Sequence, residues 1–514
     1  MLPQLTDERC DRLRDAFEAA GYHTDGVLEL LGPQVHAALG RGEPEPARRA
    51  TRDAGALGTL VRLFLLGDEE PASAVRAALA PLDVEEAVHA GLLQASGGML
   101  RAALDVRPYG DEQGSWWVVS DLDSEARGGE VHPDHVLGVG QASISLARAT
   151  IRRPVDTVLD LGTGCGVQAL HASRHARRIT ATDVSERALA LAAATFRLNK
   201  VDVELLRGEW FTPVSGRRYD QIVCNPPFVV GPPRVDYVYR DSGLTGDEAS
   251  ALVVRQMPSF LAEGGTAQLL ASWLHVRGQD WAERVRSWLP SDIGVDAWFV
   301  QRDVADPALY VGTWLRDAGV DPRSPEGRKR AGAWLDWFEA NDVEGVGFGF
   351  VTLRRTDVAD GEVVCEDLRH AFDDPLGPEA AGWLDRVAWL RENGGVAGLL
   401  GARLVVPPSV VLEQVSGLGD EGWSPRVQRL HRVDGPGWQH EVDEVATALL
   451  AGCRGDLPLL DLLTLLAAAH QQPVDALVAA ALPAVHGLVL HGMLVPVELA
   501  GEAAAVSGSE AAAR

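Results

Sequence analysis

A glycine-rich turn that joins an apolar strand to a helical stretch constrains the fold of this chain more than any other feature. The apolar run at 157–159 leads into Asp160-Leu161-Gly162-Thr163-Gly164-Cys165-Gly166, in which the glycines fall at every second position. The residues that follow, 167–176, have the apolar periodicity of a helix. In a βαβ unit such a turn lets the backbone approach a ligand closely, beside the start of a helix. The sequence therefore predicts an open α/β sheet with a ligand at this turn.

The spacing of the glycines indicates which ligand is less favoured. The dinucleotide fingerprint G-x-G-x-x-G would place its third glycine at Val167, whereas here that glycine is Gly166. NAD or FAD is therefore the weaker interpretation. Asp160, Gly162, Thr163, Gly164 and Gly166 become the first candidate cofactor-binding residues.

Acidic residues follow the next two predicted strands. Asp183 ends the strand at 179–182, 23 residues after Asp160, close to the ~20-residue spacing at which a βαβ unit delivers an acid to a ribose diol. We expect Asp183, with Val184 beside it, to hold ribose hydroxyls, although an N-cap for the next helix would also explain the acid. After the third strand, at 203–206, Glu209 is placed to accept from an adenine amino group and Trp210 to pack on the ring.

The fourth strand, 222–224, is followed by Asn225-Pro226-Pro227-Phe228. An amide or aromatic amine nitrogen is a poor nucleophile because its lone pair is delocalised. An Asn side-chain carbonyl and a stiff backbone carbonyl at proline can both accept from the NH₂ group and aim the lone pair, which is positioning with electrostatic stabilisation. Phe228 offers a face on which a flat acceptor can stack. These four residues are the candidate catalytic residues, and Asn225 is also a candidate cofactor-binding residue.

Together these motifs resemble those of the class I methyltransferases of the small-domain type, which include release-factor glutamine methyltransferases and ribosomal RNA adenine and guanine N-methyltransferases. The resemblance covers about 138–355 and implies a Rossmann-like, seven-stranded core that binds S-adenosylmethionine. The segment 138–143 lies where the family has a cofactor-flanking segment, and 240–243 with Gly246 resembles its acceptor loop. Later strands are expected at 267–272, 295–300 and 345–353.

Composition limits the substrate. The net charge is −26, from 47 Lys plus Arg against 73 Asp plus Glu, which opposes broad binding to a phosphate backbone. Five scattered cysteines indicate neither a disulfide framework nor a metal site. No run approaches ~18 apolar residues and no signal-like segment occurs, so we expect a cytoplasmic protein without a membrane span.

The 514 residues predict several domains. We expect an N-terminal helical domain at 1–120, the methyltransferase domain at 121–355, a C-terminal α+β domain at 356–500 and a disordered tail at 501–514. Both flanks show the order helix, Gly-Asp turn, two helices, Gly-Leu segment and Met-Leu strand. The N-terminal flank has a strand pair at 99–104 and 116–120, and the C-terminal flank has its Gly-Leu segment at 487–490 and its strand at 493–495. That order is typical of a winged helix, and such modules bind nucleic acid or pack on other domains.

Three functions stay open on the sequence alone. The first is methylation of an exocyclic amine of an RNA base, favoured by Phe228 and the flanks. The second is methylation of a glutamine side chain on a translation protein, favoured by the acidic charge. The third is a small-molecule N-methyltransferase or a non-catalytic binding module. We favour the first.

Overall fold

The computed structural model describes residues 2–111, 113–122, 132–233, 241–372, 375–420 and 422–500. The chain divides into two compact units, the first formed by 1–147 and 152–367, the second by 148–151 and the residues from 368 onward. The tail expected to be disordered, 501–514, and Arg240 of the expected acceptor loop lie outside the described residues. No helix within the described ranges is long and apolar enough to cross a membrane.

The strands of the first unit follow the chain in this order: β1 Glu70–Pro71, β2 Leu93–Ser96, β3 Met99–Ala102, β4 Asp105–Asp111, β5 Gly114–Ser120, β6 Val155–Leu161, β7 Ala176–Asp183, β8 Glu204–Arg207, β9 Tyr219–Cys224, β10 Leu261–Val276, β11 Gly294–Ala305, β12 Val343–Thr356 and β13 Val363–Asp367. Its α-helices are Asp7–Ala20, Thr24–Gly40, Glu45–Ala50, Gly55–Leu60, Ala72–Leu79, Val84–His89, Gln141–Ala149, Val167–Ala172, Glu186–Asn199, Glu248–Gln256, Trp281–Arg286, Pro307–Asp317 and Pro325–Ala340.

An eight-stranded sheet forms the centre of this unit, in the order β13-β11-β12-β10-β9-β6-β7-β8. Strands β8, β7, β6, β9 and β10 are parallel neighbours, and β12 runs antiparallel to both β10 and β11. The chain order reverses between β6 and β9, which is the switch point where open α/β sheets bind ligands. The expected seven-stranded, Rossmann-like class I core is present, and β13 adds an eighth strand beside β11.

The N-terminal helices share one hydrophobic core with this sheet. Leu13, Phe17 and Phe64 are buried in the same cluster as Leu170 and Phe196, which lie on helices that cover β6 and β7. Burial of that apolar surface contributes roughly 25 cal/mol per Å² to stability. The segment 1–120 is therefore packed as part of the first unit.

The N-terminal segment also has a small sheet in the order β1-β3-β2. With the helices Ala72–Leu79 and Val84–His89 between β1 and β2, it follows the helix and strand order that the sequence indicated. Strands form in both ranges of the expected pair, 99–104 and 116–120, as β3 and β5, but they do not pair with each other. β3 pairs with β1 and β2, while β5 pairs with β4, because β4 and β5 are consecutive strands that form their own hairpin.

The second unit contains the strands β14 Arg403–Val405, β15 Val410–Gly419, β16 Gly422–Arg432, β17 Gln439–Glu441, β18 Arg454–Pro458 and β19 Val495–Pro496. Its α-helices are Leu376–Glu392, Gly395–Gly398, Glu444–Gly452, Leu459–Ala469 and Val474–Leu490. The sheets have the orders β18-β14-β19 and β15-β16-β17. The Gly-Leu segment at 487–490 forms the end of the helix Val474–Leu490, and the strand expected at 493–495 begins only at Val495.

Candidate active site

A cavity of about 660 Å³ opens at the carboxyl ends of β6, β7, β8 and β9. Parallel strands present their carboxyl ends at one edge, so residues distant in sequence meet there. Five lining residues at the ends of these strands will be called the sheet wall: Gly162, Gly164, Asp183, Glu209 and Asn225.

The glycine turn has the backbone conformation for which glycine is required. Gly162, Gly164 and Gly166 have φ of 77°, 55° and 93°, values that residues with a Cβ adopt at a cost. Gly162 and Gly164, with Thr163, line the cavity. Gly166 lies behind it, and a Cβ there would come 2.7 Å from the Phe196 ring. Gly166 therefore allows the turn to pack against a core helix.

Asp160 supports the turn from behind and is not among the lining residues. Its Oδ2 accepts from Thr163 Oγ1 at 2.7 Å and from the Ala169 amide at 3.1 Å. Burial raises the pKa of Asp160 from 3.8 to about 7, against those two hydrogen bonds. The structure thus places this candidate cofactor-binding residue beneath the loop that it shapes.

Asp183 ends β7 and does line the cavity. Its Oδ2 accepts from the Gly164 amide at 3.0 Å, and its Oδ1 accepts from the Ser185 amide at 2.8 Å. Burial raises the pKa of Asp183 above its ordinary value. Each carboxylate oxygen has a second lone pair, so Asp183 can fix the glycine turn and still accept from a ligand. Val184, beside it, lines the same cavity.

Glu209 and Trp210 also lie on the cavity. Glu209 is exposed, and Trp210 is half-buried with a φ of 47°, an unusual conformation for a bulky residue. Trp210 packs against the core cluster that contains Phe211 and Met257. The turn after β8 therefore holds an aromatic ring and a carboxylate at the cavity edge.

Asn225 follows the buried strand β9 and lines the cavity with Pro226 and Pro227. The side-chain oxygen of Asn225 is buried and has no hydrogen-bond partner in the described part of the chain. Buried acceptors of this kind are rare in folded proteins and call for an explanation. An N–H donor placed in the cavity would satisfy it.

Phe228, the last residue of the tetrapeptide, is not among the lining residues. Its ring lies 5.3 Å from that of Phe348 and 6.3 Å from that of Trp314, measured between centroids. It packs with the cluster around Leu146 and Leu270. The structure thus separates Phe228 from Asn225, Pro226 and Pro227, and its predicted stacking on an acceptor stays a prediction.

A second wall of the cavity comes from the β4–β5 hairpin, which the sequence analysis did not place at the site. Asp105, Arg107, Val118 and Ser120 line the cavity and will be called the hairpin wall. The loop before the helix Gln141–Ala149 closes on this hairpin so tightly that a Cβ at Gly138 would lie 2.8 Å from Ser120 Oγ. A sequence signal for this wall was the alternation Asp105-Val106-Arg107, with two charged residues on one face of a short strand.

Other parts of the expected site also reach the cavity. Residues of the flanking segment line it, as do Asp241 and Ser242 of the expected acceptor loop. His135, which sequence analysis missed, is a buried lining residue whose Nδ1 lies 3.6 Å from Asp121 Oδ2. Flanking-segment residues that line the cavity are Gly138, Val139, Gly140, Ala142 and Ser143.

Comparison with known protein families identifies the domain that carries this cavity. Residues 138–241 match the family model described as methyltransferase small domain. Two further models, both described as domains of unknown function, match residues 19–103 and 381–496. The chain therefore carries a methyltransferase small domain, of the class that uses S-adenosylmethionine as methyl donor.

Two curated relatives are named for different substrates. The ribosomal protein uL3 glutamine methyltransferase of Bradyrhizobium diazoefficiens is 33% identical over 150 residues, which are 27% of this chain and 46% of that protein. The ribosomal RNA small subunit methyltransferase C of Erwinia tasmaniensis is 28% identical over 179 residues, 34% of this chain and 48% of that protein. The chain thus spans about half the length of each relative.

A solved structure is also similar. It is the 16S rRNA N2 G1207 methyltransferase of T. thermophilus in complex with AdoMet and guanosine, 15% identical, and the match covers 48% of this chain and 57% of that one. The TM-score is 0.26, too low to support any argument about the substrate.

Proposed function

We propose that this chain is an S-adenosylmethionine-dependent N-methyltransferase whose acceptor is a planar amino nitrogen. The observation that carries the proposal is the Asn225 side-chain oxygen, buried at the cavity and without a hydrogen-bond partner among the described residues. An acceptor left in that state is complementary to an NH₂ group. Asn225 follows β9 and precedes Pro226 and Pro227. The backbone nitrogens of these prolines have no hydrogen, so they cannot donate to the Asn225 oxygen.

The residues of the sheet wall suit the methyl donor. Gly162 and Gly164 leave the backbone of the turn open to a ligand at two positions. Asp183 has lone pairs to spare for ribose hydroxyls, and Glu209 with the neighbouring Trp210 suits an adenine edge and face. When bound, S-adenosylmethionine supplies an electrophilic methyl group on a sulfonium. The acidic residues around the cavity favour a ligand with that positive charge.

The protein's own part in the reaction is to position the acceptor. Asn225 Oδ1 accepts one N–H of the amino group, and the Pro226 carbonyl accepts the other. Both bonds draw the nitrogen lone pair out of conjugation and fix its direction. Since the proline pair cannot join a β ladder, its carbonyls stay available at the cavity.

For the acceptor we favour an exocyclic amine of an RNA base. This preference depends on the predicted stacking of Phe228 on a flat base, although the Phe228 ring packs beside Phe348 and Trp314 and is not a lining residue of the cavity. The second candidate, a glutamine amide on a translation protein, is favoured by the net charge of −26, which repels a phosphate backbone. Relatives of both kinds match this chain.

Methyl transfer from radiolabelled S-adenosylmethionine to separated ribosomal RNA, tRNA and protein fractions tests the proposal. Label in an RNA fraction, with activity that falls steeply between about 50 and 200 mM salt, supports the RNA base. Label in a translation protein with a flat salt profile supports glutamine. Binding of the methyl donor without transfer to any fraction would contradict a macromolecular acceptor.

A further inference from the structure

The charges around the cavity are unevenly divided. Five lining residues carry carboxylates, whereas Arg107 is the one arginine or lysine among the described residues that line it. The methyl donor has two positive groups, the sulfonium and the α-ammonium, and one negative group, the α-carboxylate. An acidic cavity attracts the first two and repels the third. The lining carboxylates belong to Asp105, Asp134, Asp183, Glu209 and Asp241.

The register of the β4–β5 hairpin puts Arg107 on the cavity face. Asp105 pairs with Ser120 and Arg107 pairs with Val118, and side chains two apart on a strand share a face. All four line the cavity. Arg107 Nη2 lies 2.9 Å from Asp105 Oδ2, so the guanidinium is held by a carboxylate that is itself buried.

The hairpin is fixed to the core of the first unit. Tyr22 Oη donates to the Val106 carbonyl at 2.8 Å, on the strand that carries Arg107. The Val119 amide donates to Thr195 Oγ1 at 3.0 Å, on the helix Glu186–Asn199. Since both strands are tied to core elements, the hairpin presents Arg107 from a rigid support.

The hairpin wall also lies close to the glycine turn. Burial raises the pKa of the Cys165 thiol to about 12, and the Asp105 carboxylate contributes to that rise. Cys165 and Asp105 line the same cavity. The charged pair therefore lines the same cavity as the turn at which the methyl donor is proposed to bind.

We infer that Arg107 binds the α-carboxylate of S-adenosylmethionine, with Asp105 holding the guanidinium in place. The inference rests on the proposed function, because it assigns a further contact to the same ligand. The planar guanidinium of Arg107 matches a carboxylate with two parallel donors. The hairpin that precedes the methyltransferase small domain thereby completes its cofactor site.

Calorimetry with three ligands tests this contact without any methyl transfer. The ligands are S-adenosylmethionine, decarboxylated S-adenosylmethionine, and 5′-methylthioadenosine, which lacks the whole amino acid. For Arg107→Gln we expect affinity for S-adenosylmethionine to fall at least tenfold and affinity for the other two to change less than twofold. Arg107→Lys keeps the positive charge and loses the two parallel N–H donors of the guanidinium, so its affinity for S-adenosylmethionine should fall by an intermediate amount. Arg178→Gln, at an exposed arginine away from the cavity, is the control and should bind all three like the wild type.

An equal loss of affinity for all three ligands in Arg107→Gln would overturn the inference, because the hairpin would then only shape the cavity. Unchanged binding of S-adenosylmethionine would overturn it too. Neither result affects the proposed function, since the wild type would still bind the methyl donor. If the wild type bound none of the three ligands, the proposed function itself would fail, and the inference with it.

Discussion

The two walls of the cavity differ in how the chain builds them. The sheet wall consists of residues at the ends of parallel strands, and its glycine turn is held by a hydrogen bond from the Gly164 amide to Asp183. The hairpin wall consists of side chains on one face of an antiparallel pair, brought to the cavity by packing against core elements. We expect the sheet wall to carry the chemistry and the donor's nucleoside part, and the hairpin wall to act on affinity alone.

The largest expected effect tests that division at Asn225. Replacing it with Ala removes the acceptor that we propose orients the amino nitrogen, so turnover should fall by about 10²-fold or more. Affinity for S-adenosylmethionine should stay within a few-fold. Single-turnover methyl transfer and calorimetry measure the two quantities, and Asn341→Ala, at an exposed helix end, serves as control. Normal single-turnover rates in Asn225→Ala would mean that the tetrapeptide is only structural.

Replacement of Asp183, in contrast to that of Asn225, should weaken binding of S-adenosylmethionine. Asp183→Ala removes the acceptor for the Gly164 and Ser185 amides and for the proposed ribose hydroxyls. We expect a loss of about 1.5–3 kcal/mol in binding of S-adenosylmethionine, roughly tenfold or more. Asp183→Asn, which keeps one acceptor oxygen, should lose less. Unchanged affinity by calorimetry in the Ala variant would remove Asp183 from the cofactor site.

A substitution at Gly166 tests whether the glycine turn depends on its close packing against the Phe196 ring. In Gly166→Ala the Cβ would meet the Phe196 ring at 2.7 Å in a backbone conformation with φ of 93°. The free energy of unfolding should fall by about 1–3 kcal/mol. Gly216→Ala is the matched control, since Gly216 also has positive φ but nothing within 4 Å of its added Cβ. Equal urea midpoints for the two variants would show that the Phe196 contact is unimportant.

The smallest effect concerns pH and Asp160. Since its pKa is raised from 3.8 to about 7, its contribution to stability is fully present below about pH 4 and is lost as pH rises through 7. Asp160→Asn does not titrate, so between pH 6 and 8 the wild type should lose about 1 kcal/mol relative to this variant. Urea unfolding at both pH values measures the difference. A constant difference would show that Asp160 is already ionised at pH 6.

The flanks show where sequence reasoning failed. A fragment of 125–355 contains every cofactor motif of the sheet wall, but Phe17 and Phe64 share a hydrophobic cluster with Phe196. Removing 1–124 would expose that surface and delete Arg107. Apolar periodicity predicted the helices of the N-terminal segment. It did not predict that these helices pack in one hydrophobic cluster with the helices that cover the sheet.

The sequence by itself determined the sheet wall. A glycine turn, an acid after the second strand and the Asn-Pro-Pro run are local signals, and parallel strands necessarily bring their carboxyl ends to one edge. The sequence did not show that Asp160 and Phe228 lie away from the cavity. Whether a side chain lines a cavity or is buried behind it depends on what packs against it. Only the tertiary structure decided the hairpin wall. Arg107 reaches the cavity through contacts between its hairpin and residues such as Thr195, and no local pattern records a contact between segments so far apart in the chain.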